Sequence, residues 1–221
     1  MNGKKFTHVI FDLDGTLLDT LEDLADATNW VCEQHGWPVH PVEAYKQFVG
    51  NGAAKLLERV VPAGVEITSE LRTQTMEEFT RRYTAETSRK TAPYPGMPQL
   101  VERLKGEGIT VAVLTNKPDG AAKPVVERYY PGVFEVVQGA LPDAPTKPDP
   151  TLLFKLMDRI GAKRETTLFV GDSNVDIQTA KNGGLTGCGV LWGFRTRREL
   201  QEEGADFLVQ TAQELEELIL G

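Results

Sequence analysis

The chain has only two cysteines in 221 residues, Cys32 and Cys188, far apart and without C-x-x-C spacing. That scarcity excludes a disulfide framework and a thiolate zinc site, and it fits a reducing compartment. Basic runs are missing as well. With a formal net charge of −8 and no lysine- or arginine-rich stripe to track a phosphate backbone, nucleic acid is not an expected partner. No apolar run approaches the length of a bilayer span, so no membrane partner is expected either. The opening MNGKKFTHVIFDLD has a short apolar stretch that ends in acids, which is not a signal-peptide profile. The expected location is the cytoplasm. No internal repeat or low-complexity segment is present. What remains is ordinary globular composition, 40% hydrophobic and 25% charged, at a length that allows one large domain or two small ones.

The most informative stretch is VIFDLDGTLLDT (9–20). A strand sends alternate side chains to one face, so Asp12 and Asp14 project together where FTHVIF (6–11) runs out into a turn at Gly15. Two carboxylates at one strand end repel. The repulsion is offset by a shared proton, by a divalent cation, or by different roles in which only one carboxylate faces a metal. Aspartate is also a nucleophile toward phosphate. Gly15 permits a tight turn and Thr16 adds a hydroxyl. A bare D-x-D fits an acidic turn capping a helix at Asp19 or Thr20 just as well. A full DLDGT behind a buried strand is more specific and points to phosphoryl transfer.

Apolar, β-rich runs recur at VIF (9–11), ITVAVLT (109–115), FEVVQG (134–139), TLFVG (167–171) and GCGVLWG (187–193). Helix-like segments lie between them at 98–108, 121–130, 150–161 and 175–184. That alternation predicts an α/β fold with a doubly wound, mostly parallel sheet, whose ligands bind beyond the carboxyl ends of the strands. Residues 20–91 break the rhythm. They read as helices at 21–36, 53–64 and 69–88 with no convincing strand, and KTAPYPGMP (90–98) reads as a stiff return to the sheet. The expected organisation is a core of 1–19 and 92–221 with a small all-helical domain, 20–91, inserted after the first strand.

Three further segments fall at predicted strand ends. LTNK (114–117) offers the Thr115 hydroxyl, the Asn116 side chain and nearby N–H groups to phosphate oxygens at an expected helix start. Lys147 in TKPDP (146–150) is an ordinary solvated charge if alone, but beside carboxylates and an anionic substrate it would neutralise both. In GDSNVDI (171–177), Asp172 and Asp176 share a helix-entry face, which suits one direct magnesium ligand and a supporting carboxylate; helix capping by Asp172 or Ser173 is the plainer alternative.

The order DLDGT, LTN, KP, GDSNVDI resembles the haloacid dehalogenase superfamily, specifically its phosphatases with a helical cap. The resemblance implies Asp12 as nucleophile, Asp14 as general acid and base, and Thr115, Asn116 and Lys147 as phosphate holders. It further implies Mg2+ bound by Asp12, the Asp14 backbone carbonyl and Asp172, with Asp176 beside or just outside that shell. Asp14 argues against dehalogenases and phosphonate hydrolases, which lack it, and the absence of histidine from Asp19 to Asp26 argues against β-phosphoglucomutases. TNKP (115–118), FVGNG (48–52) and VLWGF (190–194) most resemble the bacterial phosphoglycolate phosphatases. That subgroup implies a small phosphorylated metabolite as partner, read by cap donors at Gly50, Asn51 and Gly52, with Lys55 or Arg59 as cations. A pyrophosphatase, a sugar phosphatase or a phosphomutase of the same architecture is the alternative, and a receiver-like signalling module the non-enzymatic one. A monomer or homodimer is expected.

Overall fold

In the computed structural model, residues 6–86 and 89–221 are described. The first five residues of the expected core and the last two positions of the helix expected over 69–88 lie outside them. Strand β1 (His8–Phe11) leads through a turn to β2 (Leu18–Asp19) and then to four helices: α1 (Leu21–Gln34), α2 (Tyr45–Phe48), α3 (Ala53–Val60) and α4 (Ser69–Glu86). The return strand β3 (Ala92–Pro93) pairs antiparallel with β2, so the chain leaves and re-enters at one place. α5 (Met97–Gly106), β4 (Thr110–Pro118), α6 (Asp119–Tyr129), β5 (Val136–Ala140), α7 (Thr151–Ile160), β6 (Thr167–Gly171), α8 (Asn174–Gly183) and β7 (Thr186–Val190) then alternate. α9 (Arg197–Glu202), β8 (Phe207–Val209) and α10 (Ala212–Leu220) finish the chain.

The sheet runs β5-β4-β1-β6-β7-β8 with every neighbouring pair parallel. Strand alternation explains its two buried faces. Val9, Phe11, Val113 and Val170 pack with Leu100, Val126 and Leu215 on one side, while Ile10, Ala112 and Phe169 pack with Leu153, Leu156 and Ala180 on the other. A third apolar cluster, including Val31, Tyr45, Leu57 and Phe79, belongs to the helices of 21–86, and Phe194 from the loop after β7 inserts into it.

Register sets the site. Phe11 lies level with Val113 of β4 and Val170 of β6, so the residues that follow these three strands emerge side by side. β4 differs from expectation, because it continues through the TNK segment to Pro118 with a register irregularity between Leu114 and Pro118, and α6 begins only at Asp119. Helix α3 stops at Val60 rather than 64, since Val61 precedes Pro62 and is extended at φ −66, ψ 126. Among the described residues no helix is long and apolar enough to cross a membrane.

Candidate active site

Asp12 follows β1 and is buried, with its carboxylate facing Lys147: Nζ lies 2.9 Å from Asp12 Oδ1 and 2.6 Å from Asp176 Oδ1. Asp176 also accepts from the Ser173 N–H at 3.0 Å and its hydroxyl at 2.6 Å, closing a capping box at the start of α8. Capping and site-building are thus one arrangement here. Asp172 accepts from the Phe194 N–H at 2.8 Å and from the Thr16 hydroxyl at 3.3 Å. Glycine is required where these loops meet. Gly15 has φ +88, and a Cβ there would lie 2.3 Å from Asp172 Oδ2; a Cβ on Gly171 would lie 2.2 Å from that of Asp176.

The electrostatics are unbalanced. Asp12, Asp172 and Asp176, all buried, bring carboxylate oxygens within 4.8 Å of one another, and Lys147 is the ammonium among them. Burial, and then the charge of Asp176, push Asp12 up to about 7 although Lys147 opposes the shift. Burial likewise raises Asp172 well above the usual carboxylate range, with Asp176 and Asp12 adding to it. Burial disfavours the Lys147 ammonium, but Asp12 and Asp176 overrule it and hold its pKa above the ordinary lysine value. Asp12 Oδ1 accepts no well-aligned hydrogen bond even so. Three buried carboxylates against one ammonium, all hard oxygen donors, fit a divalent cation of the magnesium or calcium kind.

Thr115 Oγ1 accepts from the Lys117 N–H at 3.2 Å, which leaves its hydroxyl hydrogen for another acceptor. The Asn116 side chain is committed elsewhere: Oδ1 accepts from the Lys147 N–H at 2.8 Å, and Nδ2 donates to the Lys147 carbonyl at 3.0 Å and to the Gly50 carbonyl at 3.2 Å. Its amide therefore holds Lys147 in place rather than reaching outward. Lys117 was not foreseen. Its Nζ donates to the Asp14 carboxylate at 3.0 and 3.2 Å and to the Tyr83 hydroxyl, from α4, at 2.8 Å. No local pattern betrays that trio, because Tyr83 and Asp14 are far from Lys117 in the chain; the one available signal was a lysine directly after Thr-Asn at a strand end.

A cavity of about 550 Å³ opens over these groups, between the strand ends and the helices of 21–86. Asp12, Asp14, Thr115, Asn116 and Lys117 form its floor; Leu24, Leu56, Met76 and Phe79 face them. Gly50 and Gly52 line it, whereas Asn51 and Lys55 do not. Asn51 accepts from Arg59 at 2.6 Å, and Lys55, largely exposed, pairs with Glu58 at 2.7 Å. Arg59 also donates to the Phe48 carbonyl at 2.6 Å, and Arg195 to the Lys46 and Val49 carbonyls, so two arginines grip the loop from outside the cavity. Trp192 packs behind the site, donating to the Thr16 carbonyl at 3.0 Å.

The model of the haloacid dehalogenase-like hydrolase family matches residues 9–190. The chain belongs to that family. This haloacid dehalogenase-like hydrolase is 33% identical over 217 residues to a phosphoglycolate phosphatase of Pseudomonas syringae pv. syringae, covering 96% of this chain and 79% of the relative. It is equally identical, over 218 residues and 95% of the relative, to the phosphoglycolate phosphatase of Vibrio parahaemolyticus. A crystal structure from Lactobacillus delbrueckii subsp. bulgaricus, provisionally named a phosphoglycolate phosphatase, superposes with a TM-score of 0.90 at 34% identity over 98% of this chain and 99% of the other. The enzyme class follows: this member of the family is a phosphatase, and its buried aspartate cluster suits the metal ion that phosphatases of the family use.

Proposed function

We propose that the protein hydrolyses 2-phosphoglycolate, with magnesium, through an aspartyl phosphate on Asp12. The observation that carries this reading is the buried Asp12 carboxylate set 2.9 Å from Lys147 at the floor of a cavity that also presents Asp14 and the Thr115 hydroxyl. The relatives' names supply the substrate.

An Asp12 oxygen attacks phosphorus, the bond from phosphorus to the ester oxygen breaks, and Asp14 gives its proton to the departing alkoxide. Asp14 then takes a proton from water as that water attacks the acyl phosphate, releasing inorganic phosphate and restoring Asp12. Lys147 and the Thr115 hydroxyl hold phosphoryl oxygens during both steps, and Asn116 keeps Lys147 in register. Mg2+, held by Asp12, the Asp14 carbonyl and Asp172 with Asp176 behind them, would offset the charge gathered on carboxylates and phosphate. Residues 20–91 act as a cap over the core, excluding bulk water and presenting Gly50 and Gly52 to the leaving group. The buried free thiols Cys32 and Cys188 suit a cytoplasmic enzyme.

A panel of 2-phosphoglycolate, pyrophosphate, hexose phosphates and an aryl phosphate, read by phosphate release, tests the reading. The expected result is the highest kcat/KM on 2-phosphoglycolate with Mg2+ present. Phosphoryl transfer to a sugar without phosphate release would identify a mutase instead, and no turnover of any ester would end the enzymatic reading of this site.

A further inference from the structure

Lys117 is the buried cation on the cavity floor, where it pairs with Asp14 and the Tyr83 hydroxyl. We propose that Lys117, steadied by Tyr83, binds the carboxylate of the substrate's leaving group and makes the enzyme selective for phosphomonoesters of short 2-hydroxy acids. The proposal rests on the phosphoglycolate reading above and adds the residue that would enforce it.

Distance comes first. A proton donor must lie within hydrogen-bond reach of the oxygen it protonates. Asp14 has that task, and Lys117 Nζ is 3.0 Å from Asp14 Oδ1. In a phosphorylated 2-hydroxy acid one carbon separates the leaving oxygen from the carboxylate. An ammonium next to Asp14 therefore sits where that carboxylate would arrive.

Donor count comes second. An ammonium has three N–H groups. One shared between the two Asp14 oxygens and one given to the Tyr83 hydroxyl leave a third for the cavity that Lys117 lines. The Tyr83 ring, 4.7 Å from Nζ, limits where the head group can go.

The surroundings come third. A carboxylate buried against Leu24, Leu56, Met76 and Phe79 would be costly without a charged partner. Among the described residues, the other cation lining the cavity is Arg128, which is exposed and lies over the Tyr129 ring at 5.5 Å. Lys147 lies beside Asp12 and Asp176, where it serves the phosphoryl group and does not line the cavity around the leaving group, and Lys55 and Arg59 turn away from the cavity. Lys117 is left.

The test compares kcat/KM for 2-phosphoglycolate and for 2-hydroxyethyl phosphate, which has a neutral hydroxymethyl in place of the carboxylate, in the full chain with Mg2+. Wild type should prefer the carboxylate ester, and Lys117→Met should cut the ratio of the two constants by on the order of 10²-fold. Lys117→Arg should keep part of the preference, and Tyr83→Phe should lower it less than Lys117→Met does. Lys117→Gln, which can still bond Tyr83, serves if methionine prevents folding. A preference that survives in Lys117→Met and Lys117→Gln, or a loss equal for both esters, overturns the proposal while leaving the phosphatase reading intact. A wild-type enzyme with no preference for the carboxylate ester overturns the phosphoglycolate reading itself, before any variant is made.

Discussion

Asn116 brackets the backbone of Lys147, taking its N–H at 2.8 Å on Oδ1 and giving Nδ2 to its carbonyl at 3.0 Å. The bracket joins the end of β4 to the loop before α7, and through Lys147 it reaches both Asp12 and Asp176. The same amide also touches the Gly50 carbonyl, so one side chain connects the end of β4 with the loop between α2 and α3.

Asn116→Asp should therefore damage catalysis without removing any group that contacts phosphate. The substitution replaces the donor facing two carbonyls with an acceptor, and misplacing Lys147 by about 1 Å should cost on the order of 10²-fold in kcat. Steady-state kinetics on an aryl phosphate would check this, and wild-type kcat in the variant would disconnect Lys147 from the bracket.

Asp12→Asn should abolish turnover while the fold survives, because an amide cannot form the acyl phosphate. In EDTA at pH 8 the variant should melt at a higher temperature than wild type, since it lacks a carboxylate that burial and Asp176 disfavour. Retained hydrolysis, after deamidation is excluded by mass, would remove Asp12 from the nucleophile's role.

Divalent cation should change how stability depends on pH. Asp12 is held near 7 in the fold against 3.8 for the free side chain, so the folded state binds its proton more tightly. The associated stability is complete below about 3.8 and is lost as pH rises through about 7. Metal-free protein should accordingly lose melting temperature between pH 5 and 8, and Mg2+ should restore more at pH 8 than at pH 5. Turnover should require Mg2+ and be suppressed by Ca2+, which takes more ligands at longer distances. Equal melting curves with EDTA and Mg2+, together with equal rates in both, would contradict a cation among these aspartates.

Substitutions in and after the loop between α2 and α3 should separate by which way they face. Lys55→Ala should leave kcat/KM within about twofold, because an exposed pair contributes little and Glu58 keeps Arg72 as a partner. Gly52→Ala should lower kcat/KM on 2-phosphoglycolate and destabilise by about 1–3 kcal/mol, since φ is +84 there and a Cβ would press to 3.3 Å from the Asn116 carbonyl. Parallel kinetics and chemical denaturation of the two variants would decide; a strong loss from Lys55→Ala alone would reverse the assignment.

Much of the framework was legible residue by residue. VIF (9–11), VAVL (111–114) and LFV (168–170) are continuous apolar runs because parallel strands here are buried on both faces, so composition alone identifies them. β8 does not stand out because it is three residues long at the sheet edge, α9 because its six residues make less than two helical turns, and α10 lies beyond the last expected strand. LTN was expected at a helix start, yet β4 carries it to Pro118, since pairing with β5 resumes at Pro118 with Ala140. The periodicity of a short segment cannot report where a neighbouring strand allows pairing to continue.

DLDGT and GDSNVDI, as local patterns, were enough to place carboxylates at strand ends and to imply phosphoryl chemistry, because turn, cap and strand exit are set by residues within a few positions of one another. Their meeting in space was not local. Asp172 and Asp176 reach Asp12 through parallel register, Asn116 is drawn to Lys147 rather than outward, and Lys117 finds Asp14 after β1 and Tyr83 on α4. Such contacts depend on which buried donors and acceptors remain unpaired once the strands and helices have packed, and that is a property of the folded whole.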